Sequence, residues 1–238
     1  ESDALRAYYE QAGILIARPA GGTSCRLAIS AKGGTNAENH NHNDVGSYAV
    51  ALGSETMVGD QGGPNSYPGD YFNGDAPQKY KIKGSFGHPV PVVDGRTQSS
   101  GRKAKGVVLQ KEFTNEKDVF SIDYTSAYST PNLDKLIRTF VYDRQGEGNF
   151  TVGDEFTAKT PIRFETAITT RADWKILDDT HLLLATYSEQ MIVAIEASGK
   201  VAFTSETIEV NSPAYTRIGI ALKNQSKEGY IRLKMYTK

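Results

Sequence analysis

The sequence predicts an all-β fold, a large antiparallel β-sandwich with one short helix at its N-terminal end. Three observations carry that expectation. Short apolar runs recur along the chain, and several alternate apolar and polar residues with period two, the mark of a sheet with one wet face. Turn signals separate them at mostly about 8–14 residues, the spacing of a sandwich or barrel. The composition, with 23 glycines, 13 tyrosines and 38% hydrophobic residues, suits short strands joined by glycine turns with polar outer faces.

Taken in order, Ser2 to Glu10 reads as a short helical stretch with Ser2 as a possible cap. Gly13–Arg18 and Cys25–Ser30 are apolar strands closed by the turns Pro19–Gly22 and Lys32–Gly34. Ser47–Leu52 and Glu55–Val58 follow as strands. From Gly59 to about Gly87 the chain is irregular and rich in Gly, Pro, Asn and Asp. A loop of that length inside a compact domain is functional or disordered, and Tyr67, Tyr71, Phe72 and Tyr80 argue against disorder. The second half is more regular. Val107–Phe113, Asp118–Tyr124, Lys135–Tyr142, Asn149–Val152, Ile162–Ile168, His181–Ala185, Met191–Glu196, Thr216–Leu222 and Tyr230–Tyr236 all read as strands. With no internal repeat, no βαβ alternation and no linker-like tract, residues 1–238 form a single domain.

A chain of 238 residues buries a sizeable core without metal or disulfide help, and the single Cys25 excludes an internal disulfide framework. Lys and Arg number 27 against 28 Asp and Glu, so the net charge of −1 excludes the broad basic footprint of a general nucleic-acid binder. An anionic ligand must therefore be read by a local site. No apolar run approaches the roughly 20 residues that span a bilayer. The chain opens without Met, a basic n-region or an apolar h-region, so it is expected to be a mature fragment or a domain excised from a longer protein.

Histidine is scarce, and three of the four fall between positions 40 and 88. In Asn39-His40-Asn41-His42-Asn43-Asp44, imidazoles at i and i+2 share a face if the chain is extended. Asp60 follows a short strand, and His88 opens the apolar run Pro89–Val93. Two His and one carboxylate converging at strand ends form a plausible zinc set, against the alternative of an Asn/His-rich surface turn with a packed His88. A cupin-like site fails, because Gly46 and Ser47 stand where it needs a Glu. There is no His-Glu-x-x-His, CxxC, EF-hand, nucleophile elbow or P-loop. Cys25 reads as a small buried hydrophobe.

These residues carry a resemblance. His40-Asn-His42-Asn-Asp44-Val-Gly-Ser-Tyr48, then Val58-Gly-Asp60-Gln-Gly-Gly63, then Tyr67 and Tyr71, then Ser85-Phe-Gly-His88-Pro-Val-Pro-Val-Val-Asp94-Gly95 with Gln98, stand in the order seen in heparinase II/III-like polysaccharide lyases. Ala12–Arg18, Arg138–Asp143 and Val152–Phe156 also look like that family's C-terminal domain. The resemblance covers most of the chain, and 39–98 is its specific part. It implies the C-terminal β-sandwich of an enzyme whose other part is an N-terminal helical toroid. Such enzymes cleave uronic-acid-containing glycans by β-elimination, in the periplasm or outside a bacterial cell. By resemblance His40 is the catalytic histidine of the cleft, and His42, Asp60 and His88 hold a mainly structural zinc. Tyr71 is the candidate catalytic tyrosine of the loop, with Tyr67 and Tyr80 as rivals. The implied partners are an acidic polysaccharide and the helical domain of the same parent chain. Pro89 departs from the Asn that many members carry there, which removes a backbone donor. The alternative is a non-catalytic, metal-stabilised module that binds or positions glycans, and an open metal position with bound water would instead indicate a metal-dependent hydrolase.

Elsewhere the residues read plainly. His181 is a strand-edge residue, and Trp174 and Tyr187 belong to core or surface. Arg96, Arg102, Lys103 and Lys105 form a basic patch, either a solvated hairpin loop or a contact for an anionic glycan.

Overall fold

The computed structural model describes residues 4–60, 62–209 and 213–238. Ser2, expected to cap an N-terminal helix, lies outside them. Residues expected to continue that helix form strand β1 (Arg6–Tyr9), paired antiparallel with β2 (Ile14–Ala17). Tertiary contacts override the local helical pattern: the Tyr8 ring lies 5.7 Å from both Phe113 and Phe120, and Arg6 Nε donates to Asp118 at 2.8 Å. A single turn of helix has no such compensation, since its nucleus is costly.

The chain continues through β3 (Leu27–Lys32), β4 (Thr35–Asn36), β5 (Tyr48–Leu52) and β6 (Glu55–Val58). Strands β1-β2-β3-β5-β6 make a five-stranded antiparallel sheet, from which β4 departs. The long loop after β6 carries the short helix α1 (Ala76–Lys79) and a 3-10 turn at Ser85–Gly87, and ends in β7 (Val92–Val93). Strand β8 (Gly101–Lys105) pairs with β4.

Next come β9 (Val107–Phe113), β10 (Lys117–Asp123), β11 (Leu133–Asp143), β12 (Asn149–Ile162), β13 (Phe164–Thr170) and β14 (Asp173–Asp178). The chain ends with β15 (His181–Ala185), β16 (Gln190–Ala197), β17 (Val201–Ile208), β18 (Tyr215–Leu222) and β19 (Ser226–Thr237). An eight-stranded sheet runs β14-β15-β16-β19-β12-β11-β10-β9, and a four-stranded sheet runs β17-β18-β13-β7. The latter joins the five-stranded sheet where Gly59 N donates to Thr169 O at 3.0 Å and Thr170 Oγ1 to Met57 O at 2.6 Å. The result is two antiparallel layers around one core, the sandwich that the period-two pattern predicts.

Alternation decides which side chains fill that core. Along β11, Leu136, Phe140 and Tyr142 are buried at every second position, and along β12 Phe150, Val152 and Phe156 do the same. Tyr48 from the opposite layer meets Phe140 at 6.2 Å and Phe150 at 5.9 Å, and Phe156 stacks on Phe164 at 4.6 Å. Each such ring contributes about 1.5–3 kcal/mol by leaving water. Two of the inward positions are charged. Arg138 of β11 and Asp154 of β12 stand directly opposite in register and are fully buried. Among the described residues no helix is long and apolar enough to cross a membrane.

Candidate functional site

The His-x-His segment lies between β4 and β5, and it is not a strand. His40 has φ of 58°, a left-handed backbone that His tolerates better than most residues. The two imidazoles therefore do not share a strand face. Side-chain amides hold this segment in place of a sheet ladder. Asn36 Oδ1 accepts from Asp44 N at 3.0 Å, Gln98 Oε1 accepts from Val45 N at 3.1 Å, and Gln98 Nε2 donates to Val45 O at 2.7 Å. Asn43 Nδ2 reaches Ser100 Oγ at 3.0 Å. Gln98 is itself pinned through its backbone N–H to Ser85 Oγ at 2.8 Å.

From this frame His42 turns inward and His40 outward. His42 Nδ1 lies 3.2 Å from His88 Nε2, and His88 Nδ1 lies 3.0 Å from Asp60 Oδ2. Tyr71 Oη lies 3.2 Å from His42 Nε2. One proton arrangement with neutral rings satisfies the whole chain: Tyr71 donates to His42, His42 to His88, and His88 to Asp60. Asp60 also accepts from Gly62 N at 3.1 Å and Ser47 Oγ at 3.4 Å.

The electrostatics follow from this packing. Burial, aided by the nearby His88, pushes His42 down to about 4. Burial also pushes His88 down, but the Asp60 charge and hydrogen bond outweigh it and raise the ring above its ordinary value. Burial raises Asp60, yet the charge and hydrogen bond of His88 hold its carboxyl well below the usual range. Tyr71 is pushed up to about 12, chiefly by burial.

Asp44, Asp60 and His88 each place a donor atom within 4.8 Å of the others. One imidazole and two carboxylates suit a borderline divalent cation such as zinc. Asp60 and His88 are members of the set expected from the sequence. Asp44 completes the group, and it also pairs with Lys32. His42 stands beside the group rather than within it, because His88 turns opposite ring nitrogens toward His42 and Asp60.

His40 is exposed, and its ring packs on Phe72 at 4.8 Å. Both line an open groove of about 340 Å³ with Asn41, Asn73, Lys83 and Ser100. Tyr71 is 1% exposed and lies beneath this surface rather than in the groove. Of its rivals, Tyr67 is 55% exposed and lies 5.2 Å from Phe72, while the Tyr80 hydroxyl is held by Asp70. The structure thus gathers His42, Asp60, His88 and Tyr71 into one hydrogen-bonded relay, with His88 and Tyr71 buried, His42 half-buried and Asp60 exposed at its end, and with His40 separate on the rim. Sequence reasoning assigns no role to Phe72 or Lys83. Their available signal was position within the long loop, since Phe72 adjoins Tyr71 and Lys83 precedes the Ser85–His88 motif.

The basic patch is exposed at Arg96, Arg102, Lys103 and Lys105. His181 sits at a hairpin turn, 3.0 Å from Asp178 Oδ1. Cys25 is buried against Tyr142.

No family model matches the chain, and no curated protein matches it by sequence. Solved structures match its fold. The heparan sulfate lyase HepC of Pedobacter heparinus superposes with a TM-score of 0.78 at 14% identity, over 99% of this chain and 37% of that one. A heparinase III structure gives 0.75 at 18% identity, over 98% of this chain and 36% of that one. A second heparinase III gene product gives 0.74 at 12% identity, over 99% and 36%. In fold, this chain is a heparinase III-like β-sandwich. It spans little more than a third of the length of the solved chains it matches.

Proposed function

We propose that this chain is the β-sandwich part of a polysaccharide lyase that cleaves a uronic-acid-containing glycan by β-elimination. The observation that carries the reading is the exposed His40 imidazole, held in an open groove against Phe72, beside a hydrogen-bonded His42–His88–Asp60 relay. β-Elimination removes the C5 proton beside a carboxylate and protonates the departing O4. An imidazole within hydrogen-bond reach of a bound sugar can take part in that proton transfer. Zinc, held by Asp60 and His88 with Asp44, would fix the loop that carries His40 rather than act on the substrate. Tyr71, buried and bonded to His42, supports that loop in this reading.

An N-terminal helical domain of the parent chain supplies the remaining groups, above all the donors that neutralise the uronate carboxylate. The partial coverage of the matched chains supports that division. The enzyme works in the periplasm or outside the cell. The test is formation of unsaturated uronate, read at 232 nm. Residues 1–238 alone are expected to give no turnover, and the parent protein is expected to lose its turnover on His40→Asn. Robust turnover by residues 1–238 alone would overturn the two-part reading.

A further inference from the structure

Lys83 is the one buried charged residue of the groove, and its charge has no counterpart among the described residues. It is 6% exposed, yet no carboxylate among the described residues lies within ion-pair distance of its ammonium. A lysine so buried is ordinarily paired. Its Nζ donates to the Tyr71 carbonyl, which uses one of three N–H donors. The ammonium lies 4.8 Å from the centre of the Tyr71 ring and 4.9 Å from that of Phe72, a partial compensation by the aromatic faces. Phe72 in turn carries the His40 ring at 4.8 Å. The imidazole, the phenyl face and the ammonium are therefore consecutive on one groove wall. Glu38, the carboxylate on the same rim, is bonded to Thr35 and not to Lys83.

The backbone fixes the lysine in that place. Lys83 N donates to Tyr80 O at 2.9 Å, and Lys83 O accepts from Asn43 N at 3.0 Å, in the segment that bears both histidines. Loop and His-x-His segment thus present Lys83 and His40 as one unit. Burial also lowers the lysine's proton affinity, so a bound anion would strengthen its charged state.

We infer that Lys83 reads the anionic group, carboxylate or sulfate ester, of a sugar bound in the His40 groove. This rests on the acidic-glycan reading above and adds the residue in this chain that recognises the acid. The lysine is a binding residue that selects charged over neutral sugar; it takes no proton in the reaction.

The test is calorimetric titration of the 238-residue chain with three probes: a heparan sulfate tetrasaccharide, its desulfated form and its carboxyl-reduced form. Lys83→Met is expected to weaken the fully acidic tetrasaccharide by about tenfold or more, the loss of one charge-assisted contact. Lys83→Arg should stay within about threefold of the unaltered chain. A loss that persists on the desulfated probe and vanishes on the carboxyl-reduced one assigns the contact to carboxylate, and the converse assigns it to sulfate. If Lys83→Met does not fold, the Nζ resonance of Lys83 in the unaltered labelled protein, assigned with Lys83→Arg, must shift when the tetrasaccharide is added. Equal affinities for Lys83→Met and the unaltered chain, or no such shift while binding occurs, overturn the role of Lys83 alone. Failure of the unaltered chain to prefer the fully acidic tetrasaccharide over at least one of its two depleted forms overturns the acidic-glycan reading, and the lysine's role falls with it.

Discussion

Arg138→Met is expected to destabilise the chain more than any other single substitution in the β11–β12 pair. Arg138 Nε and NH2 grip the two oxygens of Asp154 at 2.7 and 2.6 Å, and NH2 also reaches Thr166 Oγ1 at 3.0 Å. NH1 donates to Gly46 O and Pro89 O, both at 2.7 Å. The Asp154 charge holds the guanidinium protonated against the pull of burial. Methionine fills similar space but removes all five bonds. Asp154 then keeps only the Tyr124 and Thr166 hydroxyls, at 2.6 and 2.7 Å, and two buried carbonyls lose a partner. Breaking a buried pair from one side costs about 3–5 kcal/mol. In a domain of this size each kcal/mol moves Tm by about 2–4 °C, so the fall should be about 6–20 °C. Arg138→Met with Asp154→Leu should recover about 2 kcal/mol, since the orphaned carboxylate is gone while Gly46 and Pro89 remain unpaired. Differential scanning calorimetry with chelator present throughout reads both values free of any metal effect. A single variant within about 1 kcal/mol of the unaltered chain, or a double variant less stable than the single, would refute the reasoning.

Metal loading should raise Tm and chelation reverse it, with a shift that grows as RT ln(1 + [L]/Kd); a zinc titration that leaves Tm unmoved would sink the metal reading. His88→Ala is expected to abolish that response, because His88 supplies the imidazole of the Asp44–Asp60–His88 group, and equilibrium dialysis should show the stoichiometry falling from one toward zero. His40→Asn should leave stability within about 1 kcal/mol of the unaltered chain, since Asn tolerates the left-handed backbone, whereas a β-branched His40→Val should cost more; urea melts that rank the two the other way would show that His40 is not held at positive φ. Asp178 accepts from Thr180 N–H, His181 and Thr180 Oγ1, which lower its carboxyl to about 2. Its contribution to stability is present above the ordinary carboxylate range and is lost as pH falls through about 2, and a carboxyl NMR titration with an unshifted midpoint would contradict that turn geometry.

The fold was legible where alternation and turn chemistry act locally. The thirteen sequence-predicted strands from Gly13 to Tyr236 each overlap an observed strand. Strands β1, β4, β7, β8, β14 and β17 fall outside those segments, and for β1 and β14 the cause is specific. Arg6–Tyr9 carries a weak local signal and is decided by Tyr8 meeting Phe113 and Phe120, which lie more than a hundred residues away. Strand β14, with the pattern Asp-Trp-Lys-Ile-Leu-Asp, is mostly exposed at an outer edge of its sheet, so it lacks a buried alternating face. Within the candidate site, the order of the motifs pointed to His42, Asp60 and His88, and these do meet. Which ring nitrogen faces which partner depends on rotamers and on the loop path, and sequence spacing carries neither. The same limit applies to Tyr71. An aromatic in a Gly/Pro-rich loop reads as available, whereas this one is the loop's own packing centre, flanked by Tyr67, Phe72 and Tyr80.

Arg138 shows why a sandwich can hold such a loop at all. A polar residue at an inward position of an alternating strand is a costly placement, and Asp154 directly opposite compensates its charge. That compensation leaves NH1 free to serve both loop segments, at Gly46 just after Asp44 and at Pro89 just after His88. Gly46 has φ of +88°, a backbone that glycine adopts without strain, and a Cβ there would also sit a tight 3.3 Å from the Tyr124 ring. Pro89 lacks an N–H, but the contact made here is through its carbonyl, which proline retains. The two segments that bear Asp44 and His88 are therefore fastened to one guanidinium in the core, and the separation of their donor atoms is set by the sheet rather than by the loop. A rigid clamp of this kind lets the outward residues, His40 and Phe72, stand on a glycine- and asparagine-rich surface without the site depending on that surface for its geometry. It follows that Arg138→Lys, which keeps the charge but cannot span Asp154 and both carbonyls with one planar fork, should lower metal affinity by more than its loss of Tm alone explains. Equal metal affinity in Arg138→Lys and the unaltered chain would show instead that the loop carries its own geometry.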